Sequence, residues 1–155
     1  MKFYSMKSAT DLSRPSGQIL DDREVSMKID SLDHVVLTVK NIDATCKFYA
    51  EVLGMEIVTF GENRKALSFG SQKINLQQLG RESTLIAERP TPGSADVCFI
   101  TSVSLSDVIA HLNLCGVNLI GGPVERNGAR GLMMSVYFRD PDMNLIEVSN
   151  YVNSN

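Results

Sequence analysis

The sequence predicts an α+β fold: two β-α-β-β-β modules pairing into a curved sheet around a shared cleft. Three observations predict it. Apolar residues recur at strand and helix periods in the order strand, helix, three strands, and the order occurs twice. A polar connection over 80–93, with Pro90 and Pro92, separates the two runs. The 155 residues suit one domain or one domain of two similar halves, and 43% hydrophobic content supports a core.

Residues 1–30 lack periodicity, are rich in Ser, Lys, Asp and Arg, and carry a Pro15-Ser16-Gly17 loop signal. They read as a flexible tail ahead of a domain over 31–155. Module one spans about residues 32–79. Asp33-His34-Val35-Val36-Leu37-Thr38-Val39 is β-branched and apolar, a strand with His34, Val36 and Thr38 on one face. Asn41 caps a helix with Asp43 in its first turn, where the helix dipole favours an anion. Ile42, Cys46, Tyr49, Val52 and Leu53 supply its apolar stripe, and Gly54 ends it. Strands are expected over 55–60, 65–69 and 73–78.

Module two spans about 94–151 and opens with a strand over 95–101. Ser104 or Ser106 caps a helix carrying Leu105, Val108, Ile109 and Leu112, which ends at Cys115-Gly116. A strand is expected over 117–120, then a glycine- and arginine-bearing loop over 121–131. A hairpin closes the module, with strands over 134–138 and 144–148 around Asp140-Pro141-Asp142. Proline pre-sets φ there, and the aspartates can bond the local backbone.

Composition excludes several classes. A net charge of -3 without a Lys/Arg cluster argues against nucleic acid. No apolar run is long enough to span a bilayer, which argues against a membrane partner. Cys46, Cys98 and Cys115 are widely spaced without a CxxC, so they read as plain buried thiols in a reducing, cytoplasmic compartment. Lys2 and Lys7 among hydroxyls point weakly to mitochondrial import, but Asp11, Asp21 and Asp22 follow closely.

The chemistry starts from Glu147, a carboxylate interrupting the apolar Leu145, Ile146 and Val148. An unpaired carboxylate is costly to bury, so Glu147 faces either solvent or a partner such as a cation. Matching the two halves puts Gln77 opposite Glu147 and His34 opposite Asp96. Converging on one cleft, the four would offer an imidazole nitrogen, an amide oxygen and two carboxylates, a set that suits Zn, Ni, Co, Mn or Mg. Each has a plainer reading: a hydrogen-bonded strand histidine for His34, a cleft-lining amide for Gln77, and a cap on the 92–94 turn for Asp96. Arg126 and Arg130 could clamp a substrate carboxylate or phosphate if their loop folds over the cleft; otherwise the loop is solvated. Tyr137 and Phe138 read as strand packing, and His111 as an exposed helix residue.

LDHVVLTVKNIDATCKFYAEVLGMEI and YFRDPDMNLIEVSN resemble the opening and closing signatures of the vicinal oxygen chelate superfamily. That group includes glyoxalase I, fosfomycin-resistance proteins, bleomycin-binding proteins and extradiol dioxygenases, and the resemblance covers about residues 32–151. It implies a glyoxalase-like fold with His34 at the first-strand metal position and Glu147 at the last-strand carboxylate position. Gln77 and Asp96 fall at the two remaining ligand positions. It further implies a divalent ion chelating adjacent oxygens of a small substrate, with Glu147 moving a proton as general base in isomerase or lyase chemistry. The sequence departs from the family in three places. Gln77 stands where many members have Glu or His, Asp96 where they have His or Gln, and Met143 where the turn has glycine. The alternative is therefore a non-catalytic small-molecule-binding or dimerisation module of the same fold. Iron-dependent extradiol chemistry uses two histidines and a carboxylate, and His111, on a helix, does not supply the second. The two modules can close the cleft within one chain or exchange between two copies as a homodimer.

Overall fold

The strand and helix signals of the sequence become two repeats of one unit. β1 (His34–Val39) runs into α1 (Ile42–Leu53), followed by β2 (Glu56–Phe60), β3 (Arg64–Phe69) and β4 (Gln72–Gln78). β5 (Asp96–Ile100), α2 (Leu105–Leu114), β6 (Gly121–Gly128), β7 (Gly131–Arg139) and β8 (Leu145–Tyr151) repeat the order. The structure, a computed structural model, describes residues 26–81 and 85–152. The tail expected over 1–30 lies outside these residues except for 26–30, as does the import signal in its first ten.

Local chemistry sets the helix ends. Asn41 Oδ1 accepts the Ala44 N–H at 3.0 Å, and Gly54, at φ +66°, donates its N–H to the Ala50 carbonyl at 3.1 Å. Ser104 Oγ accepts the Asp107 N–H at 3.2 Å to start α2. Each module folds its strands into a mixed four-stranded sheet, ordered β1-β4-β3-β2 and β5-β8-β7-β6. The first and last strands of each module are parallel neighbours, and the remaining pairs are antiparallel. Leu37, Val39, Tyr49, Leu67, Ile74, Phe138, Ile146 and Val148 share one core that spans both modules. Each such side chain contributes roughly 1.5–3 kcal/mol by leaving water. The opposite sheet faces are open in part, with Val36 51% and Ile100 47% exposed but Ser135 and Ser149 fully covered. No helix among the described residues is long and apolar enough to cross a membrane.

Two expectations need correction. Residues 117–120 form no strand; the expected loop over 121–131 is instead a β-hairpin of β6 and β7. Gly122 decides this. At φ +91° it lies so close to β7 that a Cβ would fall on Ser135 O and Val136 Cα, and the register shifts between Gly121 and Val124. The cysteines also differ from expectation: Cys46 is buried, but Cys98 and Cys115 are exposed.

Candidate functional site

The open face of the first sheet carries His34 and Gln77, but at different levels. β1 and β4 pair with His34 opposite Lys73, Val36 opposite Asn75 and Thr38 opposite Gln77. At about 3.3 Å per residue, Gln77 lies about 13 Å along the sheet from His34, and Asn75 only about 7 Å. In the second sheet Asp96 opposes Leu145 and Cys98 opposes Glu147. Glu147 thus stands two residues beyond the level of Asp96, as Asn75 stands two beyond His34. Asn75, not Gln77, is therefore the module-one counterpart of Glu147. The sequence match slipped by two residues because a strand shows the same face every second position.

His34 is exposed, and its Nδ1 lies 2.6 Å from Asp33 Oδ1. That hydrogen bond, above all, holds the Asp33 carboxyl below its usual range. A tautomer with the proton on Nδ1 satisfies Asp33 and leaves the Nε2 lone pair free for a ligand. Asn75 Oδ1 is buried with no hydrogen-bond donor among the described residues. Gln77 Nε2 donates to Thr38 Oγ1 at 2.7 Å, leaving the amide oxygen as its acceptor. Val36, Phe60, Arg64, Asn75, Gln77 and Arg81 line a hollow of about 560 Å³. The Arg64 guanidinium and the Lys73 ammonium flank the Phe60 ring at 4.6 and 4.7 Å. Part of the connection, including Ile86, Arg89 and Pro90, borders a second hollow of about 390 Å³ with Thr38 and Gln77.

The open face of the second sheet holds a hydrogen-bonded line. Arg126 Nε donates to the Tyr137 hydroxyl at 3.0 Å, and Tyr137 donates to Glu147 Oε1 at 2.9 Å. Ser149 Oγ donates to the same oxygen at 3.3 Å and lies 2.8 Å from Ser135 Oγ. Burial, then the bond to Glu147, pushes the Tyr137 phenol up, and Arg126 opposes the shift. Tyr137 therefore remains a protonated donor at neutral pH. Cys98 Sγ lies 3.4 Å from Ser149 Oγ; partial burial chiefly raises its thiol, the Ser149 bond opposes this, and the Glu147 charge, a hydrogen bond to Glu147 and the Asp96 charge reinforce it. Asp96 is exposed, and none of the described hydrogen bonds ties it to the 92–94 turn.

The structure thus groups Asp96 with Glu147 on one sheet and His34 with Asn75 and Gln77 on the other. Among the described residues, no three His, Cys, Asp or Glu side chains cluster at metal-binding distances. Arg126 is held on Tyr137, while Arg130 stacks on the Tyr151 ring at 4.5 Å, so neither stands on a free loop. Tyr137 is not merely a packing residue, unlike the fully buried Phe138. His111 is exposed, as expected, with Nε2 3.1 Å from the Val52 carbonyl. Sequence reasoning missed Asp33, Asn75, Tyr137 and Ser149. Asn75 carried a signal, since asparagine is disfavoured inside strands.

The family model of the glyoxalase/bleomycin resistance protein/dioxygenase superfamily matches residues 31–148. The chain belongs to this superfamily. Among relatives, the virulence protein STM3117 of Salmonella typhimurium is 57% identical over 128 residues, 83% of this chain and 89% of that protein. Its crystal structure superposes with a TM-score of 0.80 at 58% identity, covering 81% of this chain and all of that one. A glyoxalase domain-containing protein of Mycosarcoma maydis, RDO1, is 50% identical over 125 residues, 81% of this chain and 70% of that protein. Lactoylglutathione lyase from Agrobacterium tumefaciens shares the fold at 22% identity and a TM-score of 0.61, over 80% of this chain and 96% of that one.

Proposed function

We propose that this superfamily member is a metal-dependent, glyoxalase-like enzyme that binds a small substrate through two adjacent oxygens, with isomerase or lyase chemistry. The observation that carries the reading is the matched placement of Asn75 and Glu147 at equivalent levels of the two open sheet faces. One is a buried acceptor with no donor among the described residues, the other a carboxylate whose Oε1 is held by the Tyr137 hydroxyl. Together with His34 Nε2 and Asp96, these donors suit a divalent, moderately hard ion such as Zn, Ni, Co, Mn or Mg. When bound, the ion supplies Lewis-acid polarisation of the substrate oxygens. Asp33 orients the His34 ring, and Glu147 would take or give a proton as general base. The cations Arg126 and Arg130 border this face as candidates for substrate contact. RKALSFGSQKINLQQLG and the stretch from Asn127 to Asp142 further resemble glyoxalase domain-containing protein 5. Exposed Val36 and Ile100 support a second copy as the partner that closes the site, so that the donor set is shared across a homodimer. A non-catalytic binding module of the same fold is the second reading, favoured by the neutral amides of Asn75 and Gln77 where the family offers stronger ligands.

Metal content of the purified chain, with His34→Ala and Glu147→Gln beside it, tests the reading. Stoichiometric metal in the wild type, lost in both variants, is the expected result. A wild type that takes up no divalent ion even in excess favours the non-catalytic module. The methylglyoxal–glutathione hemithioacetal, offered to metal-loaded protein, then tests whether that substrate is the one turned over.

A further inference from the structure

Glu147 stands opposite Tyr137 in the β7–β8 register and Cys98 in the β5–β8 register, and the Tyr137 and Ser149 hydroxyls both bond one oxygen of its carboxylate while the Cys98 side chain also bonds the group. The Tyr137 proton points to Oε1 at 2.9 Å, and the Ser149 hydroxyl approaches the same atom at 3.3 Å. A phenol has one proton to give, and the direction in which it gives it depends on what its oxygen accepts. Here the oxygen accepts Arg126 Nε at 3.0 Å, while the other end of that guanidinium is anchored by Nη1 on the Glu125 carbonyl at 2.9 Å. The line therefore runs one way, from cation through neutral hydroxyl to anion, and each bond polarises the next.

We propose that Arg126 and Tyr137 are positioning residues that act in series on Glu147, pinning Oε1 and so fixing the orientation in which the carboxylate meets a ligand. The inference rests on Glu147 being the site carboxylate, as argued above. It changes the role of Arg126: while bonded to Tyr137, this arginine serves the site through the carboxylate rather than by clamping substrate. A carboxylate fixed at one oxygen loses less freedom when the other takes a ligand, so the pair raises affinity without touching what is bound.

Two measurements on the full chain test this, with Tyr137→Phe, Arg126→Met, the conservative Arg126→Lys and the double variant. The first is Zn²⁺ affinity by competition with a chromophoric chelator. Tyr137→Phe is expected to bind about tenfold more weakly at an unchanged unfolding midpoint. Arg126→Met should lose less, Arg126→Lys should recover part of that loss, and the double variant should bind no worse than Tyr137→Phe, as residues acting in series require. Equal Zn²⁺ affinity in wild type and Tyr137→Phe, or additive losses, would overturn the proposal. The second measurement needs no metal. By ¹⁵N NMR, exchange of the Arg126 Nε proton with water should be slow in the wild type and several-fold faster in both Tyr137→Phe and Glu147→Gln. If wild-type protein takes up no Zn²⁺, the metal-dependent reading fails, and this exchange rate alone decides the clasp: no acceleration in either variant overturns it.

Discussion

Tyr49 donates its hydroxyl to Asp140 Oδ2 at 3.0 Å, joining the helix of the first module to the β7–β8 turn of the second. Solvent reaches neither group; Tyr49 is 0% and Asp140 3% exposed. The carboxylate is fully used. Its Oδ1 accepts the Asp142 and Asn144 N–H groups at 2.9 and 2.8 Å, and Asn144 Nδ2 donates to Oδ2 at 2.8 Å. Beside it, the Asp142 carboxylate accepts the Lys40 N–H at 3.1 Å, and Asn144 Oδ1 accepts the Ala95 N–H at 2.9 Å. The DPDMN segment is thus a turn and a clasp between modules, holding the first strands of both on the strand that carries Glu147.

Tyr49→Phe should lower unfolding free energy by about 1–3 kcal/mol, because it leaves a buried carboxylate oxygen short of a donor. The pH dependence should change with it. Burial first, then the Asp140 charge, pushes the Tyr49 phenol far above its ordinary value of 10.0. A raised folded-state value means that the native state keeps a proton the unfolded chain gives up above pH 10. This contribution is complete below pH 10 and is lost as pH rises, with a slope of up to about 1.4 kcal/mol per pH unit. Urea unfolding at pH 8 to 11 checks both points: Tyr49→Phe should start lower and fall less steeply than wild type above pH 10.

Met143 occupies the same turn at φ +73°, a conformation that costs a side-chain-bearing residue about 1–2 kcal/mol. Its side chain is 59% exposed and loses little packing when removed. Met143→Gly should therefore raise stability by roughly 0.5–1 kcal/mol after the added unfolded-state entropy of glycine is subtracted. Thermal unfolding reads this directly, and a lowered midpoint would show that the Met143 side chain supports the turn.

Gly93 presses the end of the connection against this clasp. At φ +79° it sits where a Cβ would fall on the Asp142 carbonyl oxygen, a rigid backbone atom. Gly93→Ala should cost more than about 2 kcal/mol, combining left-handed strain with displacement of the turn. Gly54→Ala is the matched control. Gly54 has a similar φ of +66° but open space around it, so only the strain should be lost. Denaturant midpoints for the pair separate the two terms, and equal losses would rule out the steric one.

Local chemistry made much of this fold legible in the sequence. The Asn41 and Ser104 caps, the Gly54 stop and the DPD turn are each decided within a few residues, so reading them in order recovers both modules. The β6 strand was hidden because its pairing hangs on Gly122 approaching β7, a contact that composition does not encode. The site was half legible for a related reason. His34, Asp96 and Glu147 betray themselves as polar residues in apolar strands, but which residue stands level with which is set by the parallel register of strands far apart in sequence. Tyr137 was masked by its own size, since an aromatic in a strand reads as core until the partner of its hydroxyl is known.

Asn75 gives the register argument its own test. A buried amide oxygen without a donor carries an uncompensated desolvation cost of about 1–3 kcal/mol, and an apolar side chain of similar size removes it. If Asn75 stands in β4 for a ligand rather than for the fold, Asn75→Leu should be as stable as wild type or up to about 1 kcal/mol more stable, while divalent metal uptake falls. Gln77→Leu should affect uptake less, since Gln77 lies about 7 Å further from His34 along the sheet. Unfolding curves and metal content on the two variants decide between the readings. A destabilised Asn75→Leu with unchanged uptake would assign Asn75 to packing and return the ligand position to Gln77.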